Sequence, residues 1–295
     1  MNSGVLYAAL AYVAWGLFPI FFKQLSNVNA VEVVMHRMVW SLVFLLAVLA
    51  VLKRWAWLRE VVRQPRVLAA FALSALLLSA NWSVYVWAVQ NAHVVDASLG
   101  YFILPLVNVA MAYVLLKERP RRGQWVAVGV ACMGVLWLTI QGGRLPWIAI
   151  LLALTFGVYG LLRKVAALGP LEGLTLETMM LAPLALVYMG VGLRSGNSVL
   201  LQGDWGTNLW LMVGGPLTAI PLLLFAAGAR RIPLTTLGIL QYSAPTVQFI
   251  LSVVVFHEPI NSTRMWGFIL IWAALVVYSL EGLHNSRQAR KQLSS

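Results

Sequence analysis

Long apolar runs, cut at intervals by Arg, Lys, Gly or Pro, organise the whole chain. Ten of them approach the roughly 20 residues that an α-helix needs to cross a hydrocarbon core of about 30 Å. They cover about 4–22, 33–52, 67–89, 97–116, 124–140, 146–162, 174–193, 209–229, 234–256 and 265–283. The breaks include Lys53-Arg54, Arg119-Pro120-Arg121-Arg122, Gln141-Gly142-Gly143 and Arg230-Arg231-Ile232-Pro233. Backbone groups in lipid must be satisfied within their own segment, so each run predicts a helix. The alternating segments of about 10 residues that build a β-barrel are absent. The start, Met1-Asn2-Ser3-Gly4, carries no basic residue, and the run behind it exceeds a signal-peptide core, so the first run is expected to stay as a span. The fold class expected is an all-α polytopic membrane protein.

Composition agrees. Of 295 residues 61% are hydrophobic and 10% charged, against roughly 25% charged in a soluble domain. That excludes an ordinary cytosolic enzyme and a disordered chain. The single cysteine, Cys132, excludes a disulfide scaffold and a zinc-finger spacing. The net charge of +12 would suggest nucleic acid in a soluble protein. Placed between the spans it reads differently. With a cytoplasmic N-terminus, 16 of the 21 Lys and Arg fall on the inner side and four, Lys23, Arg144, Arg194 and Arg264, on the outer. This bias puts both termini in the cytoplasm. Anionic lipid headgroups, not nucleic acid, are the expected partner of the basic surface. Oligomeric state leaves no mark in the sequence.

The halves match at one offset. Adding 140 maps Glu32 to Glu172, Pro105 to Pro245 and Glu118 to Glu258, so four of the seven Glu fall into two pairs. At 141, Gly16 maps to Gly157 and Lys23 to Lys164. The expected organisation is a first five-helix repeat over 1–143, a second over 144–283 and a basic cytoplasmic tail over 284–295. Five spans per repeat make the second enter the membrane from the opposite side. Transporters so built place their sites near midplane between the repeats.

The motifs now resemble a known group. Trp15-Gly16 and Pro19 in the first span, with Glu118 and Glu258 closing the fourth and ninth, are similar to the EamA branch of the drug/metabolite transporter superfamily. Glu32-Val33-Val34-Met35-His36-Arg37, Asn81-Trp82-Ser83-Val84-Tyr85 and Gln241-Tyr242-Ser243-Ala244-Pro245-Thr246 point to its RarD group. The resemblance runs over about 3–283. It implies a secondary transporter of the bacterial inner membrane that exports small amphipathic metabolites or drugs, chloramphenicol among them by the group's label. An uncoupled facilitator and a membrane-embedded enzyme are the alternatives. No phosphate-binding loop, nucleophile elbow or metal-ligand cluster occurs, so no catalytic residue, cofactor or metal is expected.

Ionisable groups inside spans are costly and usually functional or paired. His36, Arg37 and Glu177 are the gate or proton candidates. Arg37 and Glu177 are equivalent at the 140 offset, yet the inversion puts them on opposite sides of midplane. Each is therefore expected to find a local partner: Asn91 or Asp96 for Arg37, Arg163 or Lys164 for Glu177. Tyr12, Trp15, Asn81, Tyr85, Tyr101, Asn108, Tyr159, Gln241 and Tyr242 describe an aromatic cavity with a few polar groups, suited to an amphipathic small molecule. Helix-to-helix bonding is the other use of the same groups. Pro105 and Pro245 are the hinge candidates, because they repeat. Ala149, Ala153 and Gly157 form a small-residue ridge for close packing.

Overall fold

The computed structural model describes residues 3–90, 94–141, 147–196, 198–202 and 204–255, with 265–266, 269–270, 272–274, 276–277 and 280–281 of the last predicted span. The elements are all helices: α1 (Ser3–Gly16), α2 (Phe18–Gln24), α3 (Ala30–Leu52), α4 (Ala56–Val61), α5 (Pro65–Gln90), α6 (Val94–Val114), α7 (Arg122–Gln141), α8 (Trp147–Val165), α9 (Pro170–Arg194), α10 (Val199–Gln202), α11 (Trp205–Ala229), α12 (Leu234–Gln241) and α13 (Ser243–Val254). The described positions of 265–281 are helical too. Six stretches among the described residues are long and apolar enough to cross a bilayer, and Gly100–Val114 is a shorter apolar helix. Leu, Val, Ile and Trp side chains stand exposed along their outer faces, as at Val51, Ile140, Leu184 and Val187. That surface suits lipid and not water.

Local chemistry sets the ends. The Val31 N–H donates to Asn29 Oδ1 at 2.8 Å, so Asn29 caps α3. The Thr207 N–H donates to Asp204 Oδ1 at 2.9 Å and starts α11 in the same way. Lys53 and Lys117 take left-handed backbone angles, with φ of 52° and 53°, where α3 and α6 turn into their loops.

Two predicted spans are broken. The first splits at Leu17 into α1 and α2, and the ninth splits at Tyr242 into α12 and α13. Pro19 and Pro245 stand just beyond these breaks. Pro105 lies inside an unbroken α6, so the repeated proline pair acts differently in its two settings.

The helices of the two halves are interleaved. The closest-packed pairs are α6 with α8, α3 with α11, α1 with α11, α3 with α9, α5 with α8 and α6 with α12. Every pair joins a helix before residue 143 to one after it. The largest core cluster does the same, with Tyr12, Leu45, Leu78 and Ala112 packed among Tyr159, Leu174, Leu222 and Phe225. The small-residue ridge seats α8 on α6: a Cβ on Gly157 would come within 2.9 Å of Val107 and Met111. The seam between α3 and α11 is tighter still. A Cβ on Gly215 would lie 2.3 Å from the Trp40 carbonyl carbon, and one on Gly214 would lie 2.9 Å from the Phe21 ring. Only glycine allows these backbones to touch. Ser41 fastens the seam by donating to the Gly215 carbonyl at 3.0 Å.

Candidate functional site

Between the halves lies a cavity of about 220 Å³. Tyr12, Trp15, Phe18, Phe22, Trp82, Tyr85, Tyr101 and Phe156 give it an aromatic wall, and Arg37, Asn81, Thr218, Gln241 and Gln248 give it polar points. Three prolines shape the lining. A proline lacks the N–H that would bond the carbonyl four residues earlier. For Pro19, Pro105 and Pro245 those carbonyls belong to Trp15, Tyr101 and Gln241, which all line the cavity. The Trp15 carbonyl accepts instead from Gln248 Nε2 at 3.4 Å, which ties α1 to α13.

Arg37 is the charge of the site. Its side chain is 9% exposed. Close approach at the Gly214-Gly215 seam brings its Nε to Thr218 Oγ1 at 2.7 Å. The Thr218 hydroxyl spends its proton on the Gly214 carbonyl at 2.7 Å, so its oxygen is left to accept. The guanidinium carbon lies 5.5, 5.4 and 5.3 Å from the ring centres of Phe18, Phe22 and Trp82. Three rings at such distances stabilise a desolvated cation. Asn91 or Asp96 is the partner expected for it nearby. Asn91 and the side chain of Asp96 lie outside the described residues, and Arg37 reaches across to the other half.

The amides divide their functions. Asn81 Nδ2 donates to the Leu152 carbonyl and to Thr155 Oγ1, both at 2.9 Å, while Asn81 itself lines the cavity. Gln241 Oε1 accepts from Asn108 Nδ2 at 3.0 Å. Of the nine predicted cavity residues, Tyr12, Trp15, Asn81, Tyr85, Tyr101 and Gln241 line the cavity. Asn108, Tyr159 and Tyr242 stand elsewhere. Asn108 backs Gln241, Tyr242 donates its hydroxyl to the Phe102 carbonyl at 3.1 Å, and Tyr159 belongs to a cluster around Glu177. Pro245 lines the cavity and Pro105 does not. His36 is fully buried away from the cavity, and among the described residues neither ring nitrogen has a hydrogen-bond partner.

Glu177 sits on the other side, where the helices are locked together. Arg163 Nη1 approaches its Oε1 at 3.6 Å, Ser74 Oγ donates to it at 2.5 Å, and the Tyr159 hydroxyl stands 3.5 Å from Oε2. At the same end Glu118 accepts from the Leu234 N–H at 2.8 Å, from the Thr235 N–H at 3.1 Å and from the Thr235 hydroxyl at 2.9 Å. Lys164 lies 3.9 Å from Glu118 and donates to the Ala229 and Ile232 carbonyls. Arg230 bonds the Ala166 and Leu168 carbonyls. These contacts close the Lys164 end, and the cavity lies toward the Phe22 end.

Phe18, Phe22, Trp82, Phe156 and Thr218 join the site although nothing in their own spacing marks them. The aromatic run Phe18-Pro19-Ile20-Phe21-Phe22 at a helix break was the available signal for two of them. Among the described residues no group of three or more His, Cys, Asp or Glu is placed to hold a metal ion.

Comparison with known proteins gives a consistent picture. The sequence model of the EamA-like transporter family matches residues 2–140 and again 145–280. Protein RarD of Streptomyces exfoliatus is 47% identical over 294 residues, covering 100% of this chain and 93% of that protein. Protein RarD of Escherichia coli is 40% identical, covering 98% of each. A Pseudomonas aeruginosa relative named chloramphenicol-sensitive protein RarD is 30% identical over 99% of this chain and 97% of its own. A crystal structure with 19% sequence identity superposes with a TM-score of 0.73 over 95% of this chain and 98% of the other, which shows the shared fold.

Proposed function

The chain belongs to the EamA-like transporter family, and we propose that it is a secondary active transporter of the bacterial inner membrane that carries a small amphipathic molecule outward by alternating access. It is a multi-pass membrane protein, and the relatives are named as RarD proteins and transporters. The observation that carries the reading is the cavity between interleaved halves, aromatic in its walls, with a few fixed polar groups and one closed end. The charge bias supports termini in the cytoplasm. Gly4 packs on Arg231 and Ile232, so the closed Lys164 end then faces inward and the cavity faces outward. At about 220 Å³ the cavity is smaller than the roughly 300–1,000 Å³ of drug-sized sites. A small metabolite fits it as described, and a molecule the size of chloramphenicol requires it to widen. Among the described lining residues no nucleophile, base and acid are clustered, which favours carriage over chemistry.

The test starts with a thermal-shift screen of small metabolites on purified protein. Hits are then followed as flux into proteoliposomes under an imposed pH gradient. Asn81→Leu and Gln241→Leu should abolish flux and leave folding intact. Full flux in both variants would remove the cavity from the transport path. Flux indifferent to the pH gradient would leave a facilitator instead of a proton-coupled carrier.

A further inference from the structure

We infer that the molecule held in this cavity carries a single negative charge, a carboxylate on a flat apolar body, and that Arg37 is its seat. The inference rests on the cavity being the cargo site and names the class of cargo. Arg37 uses one of its donors, Nε, on Thr218. A guanidinium has five N–H groups in a fixed fork, so among the described residues the Nη groups stay uncommitted on a side chain that lines the cavity. Among the described residues no carboxylate lies within ion-pair distance of Arg37, whereas the other deeply buried arginine, Arg163, has Glu177 at 3.6 Å. A cation in the membrane interior without a counter-ion is costly and is normally paired. The ring cage of Phe18, Phe22 and Trp82 and the Thr218 hydroxyl lower that cost without cancelling the charge. An entering carboxylate supplies a counter-charge that no described residue provides, and meets the fork with two parallel hydrogen bonds.

The surroundings narrow the class. Among the described residues that line the cavity Arg37 is the one cation, so a monoanion matches it and a phosphate dianion does not. Beyond the arginine the lining turns aromatic at Tyr12, Trp15 and Phe156, with Trp15 and Phe156 edge to face at 5.8 Å. A planar apolar body packs well on such rings. The fixed position of Thr218 makes the site directional, because the guanidinium cannot follow a misplaced anion.

The experiment compares phenylacetate, phenylacetamide and phenethylamine, which share a ring and differ in end-group charge. Binding is titrated on purified full-length protein in nanodiscs of neutral phosphatidylcholine, which keeps anionic headgroups away from the site. Phenylacetate is expected to bind at least tenfold more tightly than phenylacetamide, and phenethylamine is expected not to bind. Arg37→Gln should erase the preference. Thr218→Val, which keeps the charge but frees the guanidinium, should weaken phenylacetate several-fold. If Arg37→Gln fails to fold, the ranking on the unaltered protein and the Thr218→Val result decide. Acid and amide binding within twofold of each other, or no saturable binding of phenylacetate, overturns the inference. If acid and amide bind equally and Asn81→Leu abolishes both, the anion falls while the cavity stands. Phenylacetate binding untouched by Asn81→Leu and by Arg37→Gln overturns both.

Discussion

Removing the Glu177 carboxylate tests the account of the closed end. Glu177 and Arg163 are 0% and 1% exposed and 3.6 Å apart. At an effective dielectric of 20, charges at that distance attract by about 5 kcal/mol. Most of this offsets their desolvation. Glu177→Gln keeps the side-chain shape and leaves Arg163 as a buried cation that cannot shed its proton. Breaking a buried pair from one side costs roughly 3–5 kcal/mol. With about 2.1 cal/mol/K of unfolding entropy per residue, 295 residues give about 0.6 kcal/mol per degree. The expected fall in Tm is therefore about 5–8 °C, read from tryptophan fluorescence in nanodiscs. Arg163→Met should cost less, because an abandoned carboxyl can neutralise itself by binding a proton. The double variant Arg163→Met/Glu177→Met should return close to the starting Tm, as apolar replacements of whole buried pairs do. A Glu177→Gln loss below about 1 °C, or a double variant no better than the single, would refute the reasoning.

Four further outcomes follow from the packing. Gly215→Ala should destabilise by at least the roughly 1–3 kcal/mol of an overpacked core, because its methyl would meet the Trp40 carbonyl; Tm and phenylacetate binding should fall together. Gly129→Ala is the control: nothing lies within 4 Å of its Cβ, and helix preference predicts a gain of up to about 1 kcal/mol in the same melt. His36→Leu should raise stability by about 1–3 kcal/mol, since both buried ring nitrogens lack partners among the described residues; pH-driven flux lost at unchanged Tm would show a proton role instead. Glu118→Ala should cost about 1–2 kcal/mol as a lost helix cap, and a cysteine at Leu234, in a Cys132→Ser background, should react faster with a maleimide.

Much of this is legible in the sequence because lipid leaves few choices. Twenty apolar residues in a row have to become helix, and Glu118 and Glu172, each one of a repeated pair, mark helix ends, where Glu118 meets Lys164 at 3.9 Å and Glu172 meets Arg54 at 3.4 Å. What escapes is whatever depends on approach between distant helices. The Arg37–Thr218 bond links residues 181 apart in sequence, and no spacing rule connects them. Its cause is visible as Gly214-Gly215, but only once α3 is known to lie there. Tyr159 and Tyr242 read as cavity residues by type. The structure uses their hydroxyls on Glu177 and on the Phe102 carbonyl, because a buried phenol takes the nearest acceptor. The breaks at Leu17 and Tyr242 were foreshadowed by Pro19 and Pro245, yet Pro105 shows that proline alone does not decide one.

The interleaving of the halves bears on what the covalent chain is for. Helices α1, α3, α5, α6, α8, α9, α11 and α12 have their main neighbours in the other half, which completes their apolar surfaces, whereas α4 and α7 rest on α5 and α6 of their own. The covalent chain joins the halves, and its contribution is statistical: it fixes a one-to-one ratio and raises the local concentration of one half around the other. The Arg37 seat depends on that union, since one half supplies the arginine and the other the threonine that aims it.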